Sequence, residues 1–268
     1  MRQLLLALMG LVFLFLVWNT QCNYTEDFNA QSEKQLQQRS LISPKQSIPL
    51  FEEINAANKN ITTLQGDVEL VAKLDRSVRL TGNMHYSKPN LFRMTMNSIV
   101  GKELDLGSNE TYFWFWSKRS EPAALNYAKH EDVDKMKLGS PFNPKWILGS
   151  LGVTPIEYSD ANVDDYNGSW RIIRTEKNVI TCVIVDPKKK AIIGRSIYTL
   201  KGDLISASEI KSHQVIDGHV VPKQITMIWY EENIGLNLTL RSVSVNKEIS
   251  SSMWIMPNIN PKINIGKD

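Results

Sequence analysis

Between Val68 and Met96 the chain alternates apolar and polar residues with a period of two, a pattern that few folds can satisfy. Val68, Leu70, Ala72 and Leu74 are interleaved with Glu69 and Lys73. Val78, Leu80, Gly82, Met84 and Tyr86 alternate with Arg79, Thr81, Asn83 and His85, and Phe92, Met94 and Met96 with Arg93 and Thr95. Successive side chains of a strand point to opposite faces, so this spacing gives one dry and one wet face, the mark of an antiparallel sheet. Asp75-Arg76 and Ser87-Lys88-Pro89-Asn90 supply the turns.

Tyr112-Phe113-Trp114-Phe115-Trp116 breaks the alternation, being aromatic on both faces. Its second face needs a cover, and a helix packed on the sheet is the simplest one. Strands resume at Trp170-Arg171-Ile172-Ile173 and at Val179–Val185, a β-branched run that buries Cys182. Turns at Asp186-Pro187-Lys188, Lys201-Gly202-Asp203, Asp217-Gly218-His219 and Glu231-Glu232-Asn233 then recur at strand-length intervals. A meander of about ten or eleven strands fits this spacing, and no internal repeat is visible.

Two short helices are expected. Pro49 at a first helical position, followed by Leu50, Phe51, Ile54 and Ala57, gives a single apolar stripe up to Lys59. Lys145 to Leu151, carrying Trp146, Ile147 and Leu148, follows the loop Gly139–Pro144.

The first 22 residues have the form of an export leader, with Arg2 followed by an uncharged apolar stretch from Leu4 to Trp18. That stretch is shorter than the roughly 20 residues a spanning helix needs. Cys22 follows it directly, as the acylated cysteine of a bacterial lipoprotein would, although Asn19 and Gln21 are not the small residues usual before it. Acylation at Cys22, cleavage nearby and an uncut anchor all remain open. Residues 23–47 read as a polar, disordered tether, and residues 48–268 as the folded domain. Cys22 and Cys182 are the only cysteines, so a domain without disulfides is expected.

The net charge of +3 is slight, and no basic stripe interleaved with aromatics points to nucleic acid. Lys188-Lys189-Lys190 is the longest basic run and reads as a solvated turn. His85, His130, His213 and His219 form no metal-binding spacing, and His85 and His213 are expected on the wet face. Nucleophile-elbow, phosphate-loop and dinucleotide motifs are missing from the sequence. The carboxylate pairs Glu52-Glu53, Asp164-Asp165 and Glu231-Glu232 are sequence neighbours, expected to diverge on a strand or be solvated in a turn. The expectation is a protein that is not an enzyme and that carries no cofactor and no metal. Five Asn-X-Ser/Thr sequons are read as chance matches in an Asn-rich chain.

A leader, a polar tether, an amphipathic helix and a long antiparallel meander together resemble the LolA/LolB-like lipoprotein-sorting and lipoprotein-carrier superfamily. The matching landmarks are Ile54–Asn58, Gly82 to Arg93, Gly101–Asn109, Phe113–Trp116, Gly218–Pro222 and Val243–Asn246. They are turns and apolar positions, spanning roughly Leu50 to Pro257, and not a catalytic signature. The resemblance implies a mainly β (α+β) fold, an antiparallel half-open β-barrel capped by short helices, with an apolar cavity between sheet and cap. It also implies that the cavity holds acyl chains of a lipid or lipoprotein, in the periplasm or anchored at the outer membrane through Cys22.

On this reading Leu70, Met84, Phe92, Met94, Met96, Trp114, Trp116, Met227 and Trp229 line the cavity. Methionine suits such a wall because its flexible, polarizable side chain adapts to irregular guests. Receptor-type members of the superfamily expose an apolar loop residue to the membrane; Leu138-Gly139-Ser140-Pro141-Phe142 is the candidate loop. Three alternatives stay open: the same residues filling a closed core, a sensing or regulatory module of the same fold, and a hydrolase with dispersed residues.

Overall fold

The computed structural model describes residues 41–73, 77–135, 144–230 and 233–266. The leader with Cys22, most of the polar tether, the loop Leu138–Phe142 and the turn residues Asp75, Arg76, Glu231 and Glu232 lie outside them.

Fourteen strands form one sheet among the described residues. They are β1 (Thr63–Lys73), β2 (Ser77–Ser87), β3 (Leu91–Ser98), β4 (Gly101–Ser108), β5 (Tyr112–Ser117), β6 (Leu125–Lys129) and β7 (Asn162–Tyr166). The others are β8 (Ser169–Glu176), β9 (Val179–Asp186), β10 (Ala191–Thr199), β11 (Leu204–Ile216), β12 (His219–Trp229), β13 (Ile234–Val245) and β14 (Lys262–Asn264). The spatial order is β14-β6-β5-β4-β3-β2-β1-β13-β12-β11-β10-β9-β8-β7. Two meanders therefore meet where β1 pairs antiparallel with β13, and β14 and β7 are left as edges. The sheet is open, and the fold is the expected half-open barrel with short helical caps.

The strand count exceeds the expected ten or eleven because β6, β7 and β14 are short, at five, five and three residues. β7 and β14 are the two edges, where short strands with charged or polar residues discourage pairing with another chain. Asn167-Gly168, with φ of 52° and 80°, makes the tight two-residue turn from β7 to β8. Asp217-Gly218 does the same between β11 and β12. Pro222 cannot donate to a ladder, and β11 accommodates it by register shifts on either side of Ser212, close to His213 opposite Pro222.

Helix α1 (Pro44–Lys59) starts at Pro44 and not at Pro49, which lies inside it. Pro44 meets the helix start at a position where its missing N–H is not needed. Ser47, Phe51, Ile54 and Asn58 form its buried stripe. Phe51 and Ile54 pack against Ile156, Val163, Ile172, Val183, Val185 and Ile192, closing the inner face over β7–β10. Asn55 ties the helix to the following segment twice, its Nδ2 donating to the Ile156 carbonyl (3.0 Å) and its Oδ1 accepting from the Ile156 N–H (2.7 Å).

Helix α2 (Pro144–Ser150) puts Trp146, Ile147 and Leu148, followed by Leu151 and Val153, onto the middle of the same face. The face of the sheet that carries Trp114 and Arg93 is crossed by the C-terminal segment, which includes a one-turn 3-10 helix (Ser251–Trp254), and Arg93 Nη1 donates to the carbonyls of Met253 and Ile255 (3.2 Å each). Asn109 Nδ2 donates to the Trp254 carbonyl (3.3 Å), and β14 adds to β6 in parallel.

Candidate functional site

The ladder registers decide which expected lining residues share a face. Met84 lies opposite Met94, Gly82 opposite Met96, and Tyr86 opposite Phe92. Leu70 lies opposite Leu80 on one side and Leu238 on the other. Ile225 continues this row from Leu238, with Met227 and Trp229 farther along β12. Leu70, Met84, Phe92, Met94, Met96, Met227 and Trp229 accordingly belong to one buried apolar cluster. Tyr86 shares it, and burial pushes its phenol up to about 12, so the ring is neutral.

Trp114 and Trp116 are not part of this cluster. Trp114 is opposite Gly107 and Trp116 opposite Asp105, on the face that carries Arg93. Trp114 is fully buried there, with its Nε1 donating to Asp105 Oδ1 (3.1 Å) and the Arg93 guanidinium over its ring (6.0 Å). Asp105 also accepts from Arg93 and Lys102 (2.9 Å each). Burial by itself would raise the Asp105 carboxyl, but these hydrogen bonds hold it below the usual carboxylate range. Trp116 is partly exposed and donates to the Ala123 carbonyl (3.2 Å).

The seven residues share this cluster with Trp146, Ile147 and Leu148 of α2, which lies against β10 and β11, so the inner face is packed in this state. A cleft of about 240 Å³ opens elsewhere, between the end of α1, Gly152 and the β11–β12 turn, with Asn58, His213 and His219 in its wall. It is below the roughly 300–1,000 Å³ typical of sites for small ligands. His213 is not on a wet face: it is partly buried, and its Nε2–H donates to the Ile192 carbonyl (3.1 Å). Burial lowers its pKa; the same effect, with help from the Arg93 charge, lowers that of His85.

Apart from Trp229, the chemistry-bearing groups below are ones that sequence reasoning missed, and all of them lie on the inner face. Arg195 Nε, Ser206 Oγ, Ser208 Oγ, Trp229 Nε1 and Trp146 Nε1 are buried and have no hydrogen-bond partner among the described residues. Each such group costs about 1–3 kcal/mol relative to a satisfied one. Arg195 Nη2 donates to Thr154 Oγ1 (2.9 Å), and burial lowers its pKa to about 10, leaving it charged at neutral pH.

Asp164 is buried too, in a bidentate pair with Arg171 (2.8 and 2.6 Å) whose guanidinium stacks on Tyr166 at 4.6 Å. Asp164 and Asp165 are neighbours on the edge strand β7, so their side chains diverge as strand neighbours do. Among the described residues no group of three or more His, Cys, Asp or Glu is placed to hold a metal ion.

No family model matches the chain, and no curated protein matches it. Solved structures do. A domain from Vibrio parahaemolyticus, provisionally named an outer membrane lipoprotein-sorting protein, superposes with a TM-score of 0.54 at 10% identity, covering 77% of this chain and 95% of that one. A DUF1329 family protein from Desulfovibrio piger gives 0.54 at 10% identity, over 79% of this chain and 96% of its own. A LolA superfamily protein from Nitrosomonas europaea gives 0.52 at 8% identity, over 78% of this chain and 97% of its own. At these identities the likeness is one of architecture, and it agrees with the registers described above: the chain has the LolA-like fold.

Proposed function

We propose that this protein binds acyl chains of a lipid or lipoprotein against the inner face of its sheet, beneath α2. It does so in the envelope compartment to which its leader sends it, as part of lipoprotein sorting or transport. One observation carries the reading: Met84, Met94, Met96 and Met227 lie on one continuous buried face with Leu70, Phe92 and Trp229, in a cluster completed by Trp146, Ile147 and Leu148 of the seven-residue α2. Methionine repacks around guests of different shape at low cost. Each methylene moved from water onto such a face contributes about 0.8 kcal/mol. Because the face is packed in this state, binding requires α2 to lift, and its Trp146, Ile147 and Leu148 exchange sheet contacts for contacts with the guest.

The LolA-like architecture supports this reading through the lipoprotein-sorting name of one of the similar structures. Binding of this kind needs no catalytic step, cofactor or metal. Acylation of Cys22 would anchor the protein to a membrane surface; without it the same domain is a soluble carrier.

A polarity-sensitive fluorescent fatty acid titrated into the purified protein tests the reading. Saturable blue-shifted emission, reversed by phospholipid, is the expected result. The packed inner face favours one competing reading, a sensing module of the same fold, and absence of any saturable signal would select it.

A further inference from the structure

The unpartnered donors of the inner face occupy one place. Ser206 is directly opposite Trp229, and Ser208 is opposite Met227 on β12 and Arg195 on β10. Paired residues of an antiparallel ladder project to the same side, and Ser206 and Ser208 are two apart on one strand. All four positions therefore face the cluster under α2. The helix reaches the same spot: a Cβ on Gly149 would lie 3.3 Å from Arg195 Cδ. Trp146, three residues earlier, is on the same side of the helix as Gly149.

The chemistry of this set is one-sided. A guanidinium and an indole N–H can only donate, and the two hydroxyls can donate as well. Ser206 and Trp229 are essentially inaccessible, and Trp146 and Ser208 are each only 6% exposed. The carboxylate whose charge reaches Arg195, Glu157, is exposed at the surface. A buried cluster of donors around a positive charge is complementary to an anionic oxygen group.

We propose that Arg195, Ser206, Ser208, Trp146 and Trp229 form a head-group subsite for an anionic amphiphile, binding its carboxylate or phosphate while its tail runs along the methionine face. The assignment rests on the acyl-binding reading above and adds to it the class of ligand.

Calorimetric titration of the full chain with dodecanoate, dodecyl phosphate and dodecanol, below their micelle concentrations, tests it, with acetate and inorganic phosphate as head groups alone. The wild type is expected to bind both anionic amphiphiles at least about tenfold more tightly than the alcohol, a difference of about 1.4 kcal/mol. Arg195→Met is expected to remove that preference, bringing the affinities for dodecanoate and dodecyl phosphate down to that for dodecanol. Ser206→Ala with Ser208→Ala, which removes only two hydroxyls, is expected to reduce it several-fold and guards against misfolding of the arginine variant.

Equal affinity of the wild type for dodecanoate and dodecanol overturns the subsite while leaving the acyl-binding reading standing. Arg195-dependent binding of acetate or phosphate alone, with no gain from the tail, overturns the amphiphile assignment in favour of a free-anion site. Failure of all three amphiphiles to bind removes both.

Discussion

The Trp114 indole lies flat against Gly107, where any Cβ would fall 2.2 Å from ring atom Cζ2. The two residues face each other across the β4–β5 ladder, and the contact lets Trp114 Nε1 reach Asp105. Gly107→Ala forces the ring outwards and breaks that hydrogen bond. Overpacking of this kind costs about 1–3 kcal/mol, and loss of the bond adds to it. Urea unfolding should place the variant about 3 kcal/mol below wild type; a loss under about 0.5 kcal/mol would mean that the ring yields freely.

Asp105 makes the stability of the same face acid-sensitive. Its folded pKa lies below the unfolded value, so its contribution is complete above the unfolded pKa and is lost as pH falls through the folded one. Wild type should weaken steeply below about pH 4. Asp105→Asn should lose about 3–5 kcal/mol at neutral pH, since Arg93 and Lys102 keep their charges, and should show a flatter acid limb. A variant whose urea midpoint follows the wild-type pH profile would contradict this.

His213 and His85 act in a higher pH window. Both have folded pKa values below 6.5, so the unfolded chain binds more protons in that range. Stability is therefore full above about pH 7 and falls as pH drops through 6.5 toward the folded values. For His213 the neighbouring Lys189 pushes the same way as burial, whereas Asp186 and the Ile192 carbonyl oppose them. The double variant His85→Gln/His213→Gln should flatten thermal stability between about pH 7 and pH 5; an unchanged slope would show that these rings titrate normally.

Pro49 sits in the body of α1, where it removes an intrahelical hydrogen bond. Pro49→Ala should restore that bond and raise stability by about 1–3 kcal/mol, measured by chemical denaturation. A destabilised variant would indicate that α1 depends on the proline for its path.

Much of this was legible in the sequence. Period-two alternation identified β1, β2 and β3 and the face that holds Met84, Met94 and Met96. It failed at Tyr112–Trp116, because a run that is apolar on both faces carries no sign of which way each ring points. The sequence therefore groups Trp114 and Trp116 with the methionines, whereas pairing with Gly107 and Asp105 puts them on the opposite face. Arg195 was hidden for a different reason. The register shift between Ile192 and Gly194 resets the parity of β10, so its position could not be counted from the strand's start. Asn167-Gly168 was a readable hairpin signal for β7 and β8, masked by the acidic composition of β7. The C-terminal cover over Trp114 had no local signature, since it is held largely by Arg93, far away in sequence.

The central claim is that the inner face under α2 takes up acyl chains. Native mass spectrometry of the protein, purified without detergent after export, tests it most directly. The account predicts one acyl-bearing molecule per chain, released by organic solvent and regained when the stripped protein is mixed with phospholipid vesicles. Protein that carries no such mass and takes up none from vesicles, while remaining folded, would contradict it.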